Sequence, residues 1–168
     1  MTVDRQKVLD AFAAYIRPYD AQDPKVSLKI HHTYRVAALC EQIGRSIALE
    51  GTALDLAWLC GMLHDVGRFE QLRRFGTFDD SKSIDHARAG VQYCSSRGIS
   101  GITWTMIPRM PCCVPPWNGT APTVCRTAWT SDVMYCNILR DADKIDILRV
   151  NVEPAGGYYN SKLPQNCW

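Results

Sequence analysis

ALDLAWLCGMLHD, residues 53–65, is apolar on nearly every face of a helix until it ends on His64 and Asp65. A helix with no polar stripe is a central, buried one. An imidazole and a carboxylate at its end therefore stand where charge is costly unless it is paired or metal-bound. This one segment predicts both a helical core and a place to look for chemistry.

Outward from it, residues 26–49 predict a longer helix. Leu28, His32, Val36, Leu39, Ile43 and Ile47 form one stripe, and Gly51 is read as its end. Residues 4–17 predict another, with Val8, Leu9, Phe12 and Ile16 at helical spacing and Pro18 beyond. Gly67 is read as the C-cap of the central helix. Residues 68–82 read as a loop with a short helical turn. Residues 84–97 predict a fourth helix, with Ser83 as N-cap and Gly98 as stop. Residues 133–150, VMYCNILRDADKIDILRV, predict a fifth. No strand pair and no repeat emerges. The expected fold class is all-α, one domain over residues 1–168, with its motif-bearing core at about 26–150.

Composition agrees. The 168 residues are 46% hydrophobic and 21% charged, which excludes wholesale disorder. A net charge of +2 gives no footprint for nucleic acid or a membrane surface. No apolar run reaches a transmembrane length. The opening MTVDRQKVLDAF lacks the apolar region of a signal peptide, so the eight cysteines are expected as reduced thiols in a cytoplasmic protein. None is paired at C-x-x-C spacing, which argues against a structural zinc site. Cys40, Cys60 and Cys94 read as small core residues.

Three predicted helices each aim a polar group at the core. His32 lies on the stripe of residues 26–49, His64 and Asp65 end the central helix, and Asp143 shares a stripe with Leu139 and Ile147. Singly, each reads as structural, a hydrogen-bonded core histidine or a salt-bridged helix residue. Together, two imidazoles and two carboxylates on facing helices make a bundle-type metal site.

HHTYRV (31–36), LHDVGRFEQ (63–71), SIDHARAG (83–90) and ILRDADKIDIL (138–148), in this order, resemble the HD-domain superfamily of metal-dependent phosphohydrolases. The resemblance spans about residues 28–150, except for 100–132. It implies a helical bundle with a central metal site held by His32, His64, Asp65 and Asp143. His31, about 100° round the helix, is then a supporting or solvated residue, and Asp141 and Asp146 are the less favoured neighbours of Asp143. His86 matches a further histidine that supports a second ion or faces a substrate phosphate; it also reads as an exposed helix residue. Arg68 is a candidate to hold a phosphate oxygen, and so is Lys144, though both also read as surface charges. Asp65 could in addition accept a proton. The implied cofactor is a divalent ion (Mn, Fe, Co, Ni, Zn or Mg) whose open positions hold water and a phosphoryl oxygen. The implied reaction is hydrolysis of a small phosphate ester, nucleotide-like first.

Residues 101–132 break the pattern. They hold five of nine prolines and three of five tryptophans, with three charged residues. A rigid proline-rich loop over the substrate is one reading. The other, favoured, is a translation out of frame. Read from the third base of each codon with permitted synonyms, 103–132 can encode a charged, helix-patterned string containing a histidine. The tail at 152–168 is also irregular. These features keep two alternatives open, a weakly catalytic phosphate-binding or sensing module and an impaired product of a disrupted frame.

Overall fold

The computed structural model describes residues 3–97 and 130–152, all helix, turn or loop. Six α-helices follow one another: α1 (Arg5–Ile16), α2 (Pro24–Ser46), α3 (Gly51–Leu63), α4 (Val66–Phe75), α5 (His86–Arg97) and α6 (Thr130–Val152). A single 3₁₀ turn, Asp80–Lys82, precedes α5. The all-α expectation holds. The expected features at 101–129 and 153–168, and Gly98 as a stop, lie outside the described residues.

Local chemistry starts the helices. Asp4 accepts a hydrogen bond from the Lys7 N–H at the head of α1, and Asp23 accepts from Lys25 N–H at the head of α2. Pro24 follows at the first helical position, where its missing N–H costs nothing. Helix α2 stops at Ser46, earlier than the expected 49. Ala48 ends the helix in the left-handed conformation, at φ 61°; Gly51, at φ 50°, has a positive φ too but lies beyond that end. Leu49 N–H reaches Gly44 O and Ala48 N–H reaches Arg45 O, which closes a Schellman motif. Gly51 instead opens α3.

Two further expectations are corrected. Residues 66–75 are a full helix, α4, not a loop. Its three arginines hid the pattern: Phe69 and Leu72 are buried, while Arg73 and Arg74 both pair with Glu70 on the open side. The start of α5 is capped by Asp85, whose Oδ1 accepts from Ala87 and Arg88 N–H, so Ser83 is not the N-cap. Ser83 Oγ instead donates to Asp79 O. Helix α6 begins three residues before the expected 133.

Helix α3 is the buried centre that its sequence predicts. Trp58, Leu59, Met62 and Leu63 join Val8, Phe12 and Phe69 in one cluster. Ala57 and Cys60 join Val36, Cys40, Leu139 and Ala142 in a second, against α2 and α6. Cys40, Cys60 and Cys94 are buried core residues, as expected. Glycine sets the closest approaches. A Cβ at Gly61 would lie 2.5 Å from Ala37 Cα, so α3 is pressed on α2 backbone to backbone. A Cβ at Gly67 would lie 1.8 Å from His86 O, so α4 meets the start of α5 more closely still. Gly67 is therefore a packing residue inside α4, not the C-cap of α3.

Candidate metal centre

The α2–α3 contact at Gly61 and Ala37 brings two histidines together, ring edge to ring face at 66°. His32 is 3% exposed, and its Nε2 lies 3.3 Å from His64 Nε2. Asp143 Oδ1, from α6, lies 3.0 Å from His32 Nε2 and 3.7 Å from His64 Nε2. Asp65 Oδ2 lies 3.6 Å and 3.5 Å from the same two nitrogens. Asp65 stands at the N-cap of α4, but its side chain makes no capping bond there.

The far side of each imidazole is tied back. His32 Nδ1 is 2.6 Å from Asp146 Oδ2, and His64 Nδ1 is 2.7 Å from Gly61 O. A carbonyl or carboxylate oxygen accepts a hydrogen bond, so in the neutral form of either ring the proton sits on Nδ1. Both Nε2 atoms then present lone pairs to each other and to two carboxylates. Such a convergence fits a cation; without one, a proton on His32 Nε2 is shared with Asp143 Oδ1. Donors about 2.1 Å from one ion stand roughly 3.0–3.4 Å apart, close to the 3.0–3.7 Å spacings observed here.

The titration of these groups tells the same story. Burial pulls His32 down, but its hydrogen bonds to Asp143 and Asp146 outweigh this and lift it above the ordinary range. A proton on His32 thus answers the same negative field that an ion would. His64, dominated by burial, is held below the ordinary range and stays neutral. Burial opposes ionisation of Asp65 and Asp143. Lys29, His64 and Arg68 nevertheless hold Asp65 well below the usual carboxylate range, and the hydrogen bond to His32 does so for Asp143.

His32, His64 and Asp143 form one compact donor group among the described residues. Asp65 stands beside it, with Oδ2 2.6 Å from Lys29 Nζ. His86 Nε2 is 3.6 Å from the other oxygen, Asp65 Oδ1, and its Nδ1 donates to Asp80 Oδ2 at 2.7 Å. His86 is thus brought to the edge of the cluster. Arg68 is largely spent on the fold: its Nη1 donates to Gln71 Oε1, Phe78 O and Asp80 Oδ1. Its buried Nε has no hydrogen-bond partner and lies 3.6 Å from Asp65 Oδ1. Lys144 is exposed, and His31 is exposed on the outer face of α2. Asp80, Asp85 and His86 make a second, shallower donor group, but Asp80 and Asp85 already serve as hydrogen-bond acceptors for Arg68 and the head of α5.

Two residues escaped the sequence reading. Asp146, ranked below Asp143, is 1% exposed and accepts bonds from His32, Arg35 and Arg149. Its signal was its place three residues after Asp143, one turn along the same face. Lys29 is 5% exposed and holds Asp65. Its signal was a lysine three residues before His32, on the face that packs inward.

No described helix is long and apolar enough to cross a membrane. No curated protein and no solved structure matches the chain. The family model of the HD domain matches residues 30–109, the stretch carrying His32, His64, Asp65 and His86. The all-α fold and the cluster of two histidines with flanking aspartates are consistent with that match.

Proposed function

We propose that the chain is a metal-dependent phosphohydrolase acting on a small, nucleotide-like phosphate ester. One observation carries the reading: His32 Nε2, His64 Nε2 and Asp143 Oδ1 converge within 3.0–3.7 Å with both Nδ1 atoms tied back. His32, His64 and Asp143 would hold the ion, with Asp65 as the fourth ligand. A bound divalent ion supplies a Lewis acid for a phosphoryl oxygen and lowers the pKa of a water.

The chain's own residues do the rest. Asp146 and the Gly61 carbonyl fix both ring tautomers, so each Nε2 keeps its lone pair for the centre. Asp80 does the same for His86, whose Nε2 faces Asp65 Oδ1 and can take or return a proton there. Burial of His32 and Asp65 limits water around the cluster and strengthens every charge interaction inside it.

The test begins with metal content of the purified chain by elemental analysis, beside His64→Ala. A screen of p-nitrophenyl phosphate and nucleoside monophosphates follows, with Asp65→Ala as control. About one equivalent of metal, and phosphate release lost in both variants, is the expected result. Ligand-induced thermal stabilisation without turnover would favour the sensing module. No retained metal with any supplied ion overturns the reading.

A further inference from the structure

We infer that Lys29 couples the metal to an anionic ligand: its ammonium is the counter-charge of Asp65 without an ion, and meets a phosphoryl oxygen once an ion is bound. This inference rests on the metal-site reading above.

Lys29 Nζ lies 2.6 Å from Asp65 Oδ2, the oxygen that also faces His32 and His64 Nε2. The pair is buried, its side chains 7% and 5% exposed, and the Phe78 ring lies 5.3 Å from Nζ. A buried pair of this kind tolerates no uncompensated charge. Asp65 and Asp143 carry two negative charges, which a divalent ion alone would neutralise. Lys29 then remains as a surplus positive charge beside the ion, in a medium where like charges repel strongly.

An anionic ligand relieves that surplus, and a phosphate group does so with oxygens for both the ion and the ammonium. The other cations near the cluster are committed or distant. Arg35 pairs with Asp146, and Lys144 is exposed; Arg68 Nη1 is held by Gln71, Phe78 and Asp80, while its Nε faces Asp65 Oδ1 at 3.6 Å, on the opposite oxygen from Lys29. Lys29 thus selects for charged phosphate esters over neutral esters, and makes metal and phosphate binding mutually reinforcing.

The test is Mn²⁺ affinity by calorimetry, with and without inorganic phosphate, for the unmodified chain, Lys29→Met and Lys29→Arg. In the unmodified chain phosphate is expected to tighten Mn²⁺ roughly tenfold, an ordinary coupling. Lys29→Met should bind Mn²⁺ more tightly than the unmodified chain without phosphate, and lose most of the phosphate effect. Lys29→Arg, which keeps the charge, should retain it. An equal phosphate effect in Lys29→Met and the unmodified chain overturns the inference. No Mn²⁺ binding by the unmodified chain instead overturns the metal site itself. Should neither variant melt cooperatively, NMR of the lysine ammonium groups in the unmodified chain decides. A resonance that shifts with phosphate only when Mg²⁺ is present is expected, and its absence overturns the inference.

Discussion

Asp146 Oδ2 stands 2.6 Å from His32 Nδ1 across 114 residues of sequence. Arg35 and Arg149 hold the other edge of the same carboxylate. Asp146 therefore does not face the centre; it sets how His32 faces it. A carboxylate behind a metal-binding histidine fixes its ring and raises its basicity. Asp146→Asn is expected to weaken metal binding about 10–100-fold, measured by competition with a chromophoric chelator. Asp141→Asn, at an exposed site on the same helix, should leave it unchanged.

The acid limb of stability should also run through these carboxylates. Asp65, Asp143 and Asp146 are all held below the ordinary range, each by its cationic or imidazole partners against the pull of burial. A group depressed in the folded state contributes stability that is present above its unfolded value of about 3.9 and lost as pH falls through the folded one. The chelated protein should therefore lose Tm steeply below about pH 4, and Asp146→Asn should flatten that slope. His32, raised, contributes stability below about 6.5 that fades as pH climbs through its folded value. His64, lowered, has the opposite sign and works against it. Thermal melts from pH 2 to 8 check both statements.

Gly67 holds α4 against the first turn of α5, with room for no Cβ beside His86 O. Gly67→Ala must push the backbones apart and carry His86 away from Asp65. The expected cost is about 3 kcal/mol, at the upper end for overpacking, read from urea unfolding.

Ala48 pays for its left-handed backbone at the end of α2. Glycine carries no such penalty, so Ala48→Gly should stabilise the chain by about 1 kcal/mol. Metal affinity should not change, because Ala48 lies about 24 Å along the chain from His32 at helical rise. Paired melts and metal titrations test the two halves of this statement.

The sequence by itself determined the helical class, the central position of α3 and the identity of His32, His64, Asp65 and Asp143 as candidates. Those readings rest on periodicity and short motifs, which are local properties of the chain. Helix α4 was hidden because its charges pair among themselves, so a buried face of Phe69, Gln71 and Leu72 passed for a loop. Only the tertiary structure decided which aspartate faces the centre and which braces it. Asp143 and Asp146 are one turn apart on α6, and their roles differ through where α2 presents the two nitrogens of one ring. The same holds for Lys29 and Arg68. Sequence marks both as cations near the motif, but packing assigns one to Asp65 and the other chiefly to Asp80 and a loop carbonyl. A buried charge takes its function from the partner that compensates it, and that partner is chosen by the fold.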